Sequence, residues 1–208
     1  MKLPEEYRKA VPFPELRPCQ EKALKAGLLD GKSLLVATPT ASGKTLIAVL
    51  AFLRATKLCM KSVYVAPLKA LAAEKAREFQ QYEFKSTLSV GDYDDNDASL
   101  ADYDVILTTP EKLDSLLRHT TPWLQQVGCV VIDEVHLLGD NSRGPTLELL
   151  ITLLKHVLPK AQFICLSATV QNSKEMAAWL GAELVVDDWR PVELREAVHT
   201  QQGLVYKK

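Results

Sequence analysis

Seven short apolar or β-branched runs punctuate the chain, at residues 33–37, 62–66, 87–90, 104–108, 128–132, 161–166 and 183–186, and most precede a helical pattern. Strands apolar on both faces, alternating with helices, indicate an α/β fold with a mostly parallel central sheet covered by helices on both faces. About seven strands are therefore expected. Leu147, Leu150, Ile151, Leu154, Val157 and Leu158 recur at helical spacing and predict one apolar stripe. Asn172 followed by Glu175 reads as a capping-box helix start, and Gly181 as its stop.

The 208 residues, 47% of them hydrophobic, suffice for one substantial core, so a single domain over 1–208 is expected. The longest unbroken apolar run covers 46–53, far short of the ~18 residues of a membrane span. The opening Met1-Lys2-Leu3-Pro4-Glu5-Glu6 meets charge and proline where a secretory signal needs apolar residues, which predicts a cytoplasmic protein. Cys19, Cys59, Cys129 and Cys165 lie far apart without metal-ligand spacing. Cys129 and Cys165 sit in apolar runs and read as small buried hydrophobes. With 25 basic and 26 acidic residues there is no global basic field, so any nucleic-acid contact must be local.

The polar clusters 38–45, 67–69, 91–92, 109–112, 133–136 and 167–169 each begin just after an apolar run ends. In a parallel sheet all such ends lie along one edge, where open α/β folds bind ligands. Chance polar residues would fall at both ends of the strands.

Thr38-Pro39-Thr40-Ala41-Ser42-Gly43-Lys44-Thr45 stands between a strand and an apolar helix, the context of a Walker A loop. Its backbone N–H groups would cradle phosphates, Lys44 would reach the β and γ phosphates, and the Thr45 hydroxyl would hold Mg²⁺. Thr38 replaces the motif's first glycine, while Gly43-Lys44-Thr45 is intact. Cys129-Val130-Val131-Ile132 then leads into Asp133-Glu134-Val135-His136, the form of a Walker B strand with a DExH box. Asp133 can hold the metal, and Glu134 can activate the water that attacks the γ phosphate. His136 alone would more often be a structural histidine; beside this pair it is a candidate γ-phosphate sensor. ATP and Mg²⁺ are the cofactors these elements imply. Asp92-Tyr93-Asp94-Asp95-Asn96 begins like a calcium loop, but Asp97 stands where glycine is required and Tyr103 at the twelfth position, so a solvated acidic loop is the better account.

Ser167-Ala168-Thr169 completes a set that resembles the superfamily-two helicases. The loop 39–45 with the DEVH box is similar to the Ski-type branch. Gly91-Asp92-Tyr93-Asp94, the segment 111–118 and Arg143-Gly144-Pro145-Thr146-Leu147-Glu148 narrow it towards archaeal DNA-repair helicases related to the polymerase-theta helicases. The resemblance covers about residues 16–194 and implies a RecA-like P-loop fold. It further implies that Gln20, in Leu16-Arg17-Pro18-Cys19-Gln20, recognises adenine. By the same resemblance Ser167, Ala168 and Thr169 couple hydrolysis to movement between two motor halves. Pro67, Lys69, Ala70, Gly91, Asp92, Thr109, Pro110, Lys112 and Arg143 become the candidate nucleic-acid contacts. Thr109 as a cap with Pro110 in the first turn would suit a phosphate, although the same pair is simply a good helix start.

The residues after Thr169 are too few for a second RecA-like domain, so a fragment is expected, monomeric, whose missing half supplies the arginines that complete an ATP site. The resemblance implies a partner in single-stranded or forked DNA, 3′–5′ translocation and unwinding in repair or stalled-fork processing, and little activity for the isolated domain. Two other readings stay open at this point. One is an RNA helicase of the same branch, because backbone contacts do not read bases. The other is a non-catalytic module that binds nucleotide or nucleic acid, against which intact Lys44, Asp133 and Glu134 argue.

Overall fold

The computed structural model describes residues 3–9, 11, 15–91, 97–119, 121–192, 197–200 and 203–206. All seven expected strands form, as β1 (Leu34–Ala37), β2 (Lys61–Val65), β3 (Ser86–Ser89), β4 (Val105–Thr108), β5 (Val127–Ile132), β6 (Gln162–Ser167) and β7 (Glu183–Val186). They pair in one sheet in the order β3-β4-β2-β5-β6-β1-β7. Every pairing is parallel, so the sheet has all its strand ends of one kind on one edge. The helices are α1 (Glu5–Arg8), α2 (Pro18–Lys25), α3 (Lys44–Lys57), α4 (Lys69–Phe79), α5 (Pro110–Arg118), α6 (Gly144–Val157) and α7 (Ser173–Leu180).

The core is split by the sheet, as strands with two apolar faces require. Leu34, Val36, Tyr64, Val105, Leu107, Cys129, Val131, Ile164 and Leu166 face one cluster with the buried residues of α2, α3 and α4. Their strand neighbours Leu35, Val63, Val65, Ile106, Val130, Ile132, Phe163 and Cys165 face a second cluster with α5, α6 and α7. Burial pushes the thiols of Cys129 and Cys165 up to about 12, which fits their reading as inert core residues.

Several local expectations need correction. Asn172 precedes α7 at φ −91°, ψ 24°, without a side-chain cap, so the capping box does not form. A capping residue needs extended backbone for its oxygen to reach back to the first turn. Gly181 does end that helix, at φ 65°. Val157 is 37% exposed and drops out of the α6 stripe, whose other members are buried. The edge strand β3 lies one residue earlier than expected, because its half-exposed residues leave the hydrophobic pattern little hold on register. An antiparallel pair, β8 (Ala197–Thr200) with β9 (Gly203–Tyr206), adds to the expected strands.

Candidate nucleotide site

The loop between β1 and α3 is fixed from its carbonyl side. Lys44 Nζ donates to the carbonyls of Thr38 (2.8 Å) and Pro39 (3.0 Å). Arg17 Nη1 donates to Ala41 O at 2.6 Å, the Cys19 thiol to Ser42 O at 3.2 Å, and Gln20 Nε2 to Gly43 O at 2.9 Å. In a planar peptide the N–H points away from the C=O, so binding the carbonyls aims the amides the other way. The first amides of α3 have no intrahelical partner and join them. The Thr38 and Ser42 hydroxyls bond each other at 2.8 Å, and Thr38 N–H donates to Ser167 O at 3.2 Å. Thr38, in place of the motif's glycine, is thus a fully buried pin between the ends of β1 and β6.

Ala41 and Gly43 adopt left-handed backbone, at φ 62° and 97°. The φ of 97° favours glycine at 43, and a Cβ there would also lie 2.5 Å from Gln20 Nε2 and 3.0 Å from Arg17 Cδ, displacing the side chains that tie the loop. Pro39 is buried, Thr40 exposed, and Thr45 half-buried. Gln20 is 4% exposed, and its Oε1 accepts from Arg17 N–H at 2.8 Å. Each end of its amide keeps one further donor or acceptor position. Gln20, Gly43 and Thr45 line a cavity of about 380 Å³ with Glu15, Arg17, Leu46, Glu78, Gln81 and Tyr82.

The acidic pair sits across from the loop at the tip of β5. Asp133 Oδ1 accepts from Glu134 N–H at 2.9 Å, and Oδ2 accepts from the Tyr64 hydroxyl. Glu134 is left-handed at φ 51°, a strained conformation for a residue with a side chain. Burial lowers the pKa of Lys44, and the charges of Glu134 and Asp133 oppose that shift. The lysine of the loop and both acids therefore share one electrostatic environment. Thr45 Oγ1 accepts from Lys75 Nζ at 2.9 Å, and Lys75 pairs with Glu78 at 2.7 Å.

His136 links the DEVH box to the Ser167-Ala168-Thr169 segment. Its Nδ1 accepts from Ala168 N–H at 3.3 Å and lies 3.2 Å from Glu134 Oε2. The nitrogen serves one of these partners at a time, because accepting needs a lone pair and donating needs a proton. Ser167 is buried with its hydroxyl on Ala168 O at 2.7 Å, while Thr169 is exposed.

The remaining candidates gather on the other half of the edge, after β2, β3, β4 and β5. Lys69, Ala70 and Arg143 are exposed, and Pro67 and Gly91 are partly so. Thr109 caps α5 by accepting from Lys112 N–H at 3.5 Å, with Pro110 in the first turn. Lys112 itself is only 5% exposed, against the usual surface position of a strand-gripping lysine. Pro67, Pro110, Asp133 and Arg143 border a cleft of about 70 Å³, so Asp133 touches both halves. Asp92 and the acidic loop to 96 lie outside the described residues. Arg17, Cys19, Tyr64 and Lys75 are contributors to which sequence reasoning gave no role; Arg17 and Cys19 stood in the motif quoted for Gln20.

The DEAD/DEAH box helicase family matches residues 17–177. The chain belongs to this family. The ATP-dependent DNA helicase Hel308 of Thermococcus kodakarensis is 53% identical over 190 residues, which are 88% of this chain and 16% of that protein. Its namesake from Pyrococcus abyssi is 52% identical over 198 residues, 92% of this chain and 27% of the relative. This DEAD/DEAH box chain thus spans about a quarter or less of these two curated relatives. Among solved structures, the DUF1998 helicase MrfA is similar with TM-score 0.76 at 28% identity, over 90% of this chain and 33% of that one. The same helicase bound to DNA and AMPPNP matches with TM-score 0.76 at 27% identity, over 90% and 30%.

Proposed function

We propose that this chain is the first RecA-like, ATP-binding half of a DNA helicase motor, one that couples ATP hydrolysis to 3′–5′ movement along a single strand. The observation that carries the reading is the convergence of Lys44, Asp133 and Glu134, which follow β1 and β5, at one edge of a parallel sheet, with His136 Nδ1 within reach of both Glu134 and the Ala168 amide. The DNA-helicase relatives at about half identity support DNA as the substrate, and so does the DNA-bound neighbour. Repair or stalled-fork processing is proposed on the likeness of the motifs at 91–94, 111–118 and 143–148 to those of DNA-repair helicases.

The donors available to a metal are oxygens, Thr45 Oγ1 and the Asp133 carboxylate, which suits Mg²⁺. Each Asp133 oxygen accepts one hydrogen bond and keeps a lone pair. Among the described residues no three acidic, His or Cys side chains cluster into a cage. Magnesium held by one or two protein oxygens together with substrate phosphates fits that donor set. Bound there, it would neutralise charge on the β and γ phosphates.

The residues' own tasks follow. Lys44 leaves the carbonyls of Thr38 and Pro39 for phosphate oxygens, and the amides of 41 and 43–45 receive the rest of the charge, Ser42 N–H being held by Pro39 O at 3.4 Å. Gln20 offers its spare N–H and lone pair to the adenine edge. Glu134 takes the proton of the attacking water. His136 reports the γ phosphate through the Ala168 amide, with Ser167 and Thr169 as the coupling segment. Pro67, Lys69, Ala70, Gly91, Thr109, Pro110 and Arg143 form the track for the strand backbone, and the buried Lys112 supports it from within α5. Arginines from a second RecA-like domain complete the site, so the chain alone hydrolyses ATP slowly. Among the described residues no helix is long and apolar enough to cross a membrane, and a cytoplasmic location is proposed with the motor role.

The test joins this chain to a second RecA-like half and measures ATPase with single-stranded DNA and RNA of one sequence, with and without Glu134→Gln. DNA stimulation that the substitution removes is expected. Stimulation by RNA alone would move the chain to the RNA branch, and stimulation by neither would leave only a binding module.

A further inference from the structure

The Tyr64 hydroxyl is a polar atom placed where packing asks for none. The ring is fully buried and meets Phe52 and Phe79 edge-on, with centroids 6.3 and 5.4 Å away. Phenylalanine would fill that role equally well. A buried hydroxyl without a partner costs roughly 1–3 kcal/mol, so its presence calls for a specific bond. That bond goes to Asp133 Oδ2, from the neighbouring strand β2, where Tyr64 and Val131 are in register.

The opposite oxygen of Asp133 is held by the Glu134 amide. Bonds to both oxygens fix the carboxylate plane, leaving one lone pair on each oxygen in a set direction. We propose that Tyr64 is a positioning residue for the divalent cation: it orients the Asp133 carboxylate as a metal ligand and thereby sets the affinity of the nucleotide site for that cation. The inference rests on the proposed reading of Asp133 as a metal ligand. Hydrogen bonds that orient a ligating carboxylate typically contribute about 10–100-fold in metal affinity. Val65, the residue after Tyr64, lines the cleft shared by Asp133, Pro67 and Arg143, so β2 joins the metal side to the strand side.

The experiment titrates Mg²⁺ into the full 208-residue chain with a fluorescent ATP analogue, comparing wild type, Tyr64→Phe, Asp133→Asn and the double variant. Tyr64→Phe should raise the Mg²⁺ concentration for half-saturation about 10–100-fold and leave metal-free nucleotide affinity unchanged. On the Asp133→Asn background it should add nothing. An unchanged Mg²⁺ requirement, or equal losses with and without metal, would overturn the role of Tyr64 and mark the hydroxyl as structural. If Asp133→Asn itself leaves the Mg²⁺ response intact, the metal-site reading fails first; if it abolishes the response while Tyr64→Phe does not, only the present inference fails. Should Tyr64→Phe alone unfold, the double variant, which leaves no carboxylate unpaired, carries the comparison. A further loss of Mg²⁺ response beyond Asp133→Asn would then overturn the proposal, and an equal response would support it.

Discussion

The two halves of the sheet edge are built to different standards. On the β1, β5 and β6 side, the carbonyls of Thr38, Pro39, Ala41, Ser42 and Gly43 are each held by a side chain, and Glu134 is kept in left-handed backbone. On the β2, β3 and β4 side, Lys69 and Ala70 stand exposed, and the Thr109 cap is a long 3.5 Å contact. A triphosphate must be held in one geometry for in-line attack, since misplacement by about 1 Å costs on the order of 10² in rate. A strand that is to move past must be released at every step, and exposed, separately weak contacts allow that. The difference teaches that one row of strand ends can hold a rigid site and a yielding one together, with Asp133 at the border.

The sharpest division is expected from Glu134→Gln. It should lower strand-stimulated hydrolysis by about 10²–10⁴-fold, the usual contribution of a general base, while nucleotide and strand binding persist in direct titrations. A matching loss of strand binding would break the separation of the halves. Gly43→Ala comes next. The new Cβ meets Gln20 Nε2 at 2.5 Å on backbone at φ 97°, a strain of about 1–3 kcal/mol. Calorimetry should show lower thermal stability and weaker ATP binding, with affinity for single-stranded DNA unaltered.

On the open half, Lys69→Ala combined with Arg143→Ala should weaken single-strand binding without affecting nucleotide. If each side chain neutralises one phosphate, the slope of log K against log salt should shrink by about 0.7 for each contact removed. An unchanged slope would take both residues off the strand track.

What could be read beforehand was what is local in the chain. Gly43-Lys44-Thr45 and Asp133-Glu134-Val135-His136 carry their meaning within a few residues, and the apolar runs locate the strand ends beside them. Thr109-Pro110 likewise announces a helix start that the fold contains. Arg17, Cys19, Tyr64 and Lys75 reach the site from other elements, and no spacing rule connects Tyr64 to Asp133 across two strands. Lys112 shows the opposite failure: its charge suggests a surface position, yet its chain is buried at the start of α5. At Asn172 the residue types of a capping box are present, but the backbone turns the wrong way for the bond.

The smallest expected effect belongs to Cys19→Ala, and it tests how much each carbonyl tie contributes. The thiol donates to Ser42 O at 3.2 Å from a side chain that is 1% exposed. An S–H is a weak donor, so its loss should cost no more than the lower end of an ordinary hydrogen bond, about 0.5 kcal/mol. ATP affinity should fall by roughly twofold, whereas Arg17→Ala, which removes a charged donor at 2.6 Å from Ala41 O, should cost about 1.5–3 kcal/mol. Nucleotide titrations of the two variants should keep that order. Equal losses would mean that the loop is held by packing around Gly43 instead of by its carbonyl bonds, and the contrast between a tied half and an open half would then rest on shape alone.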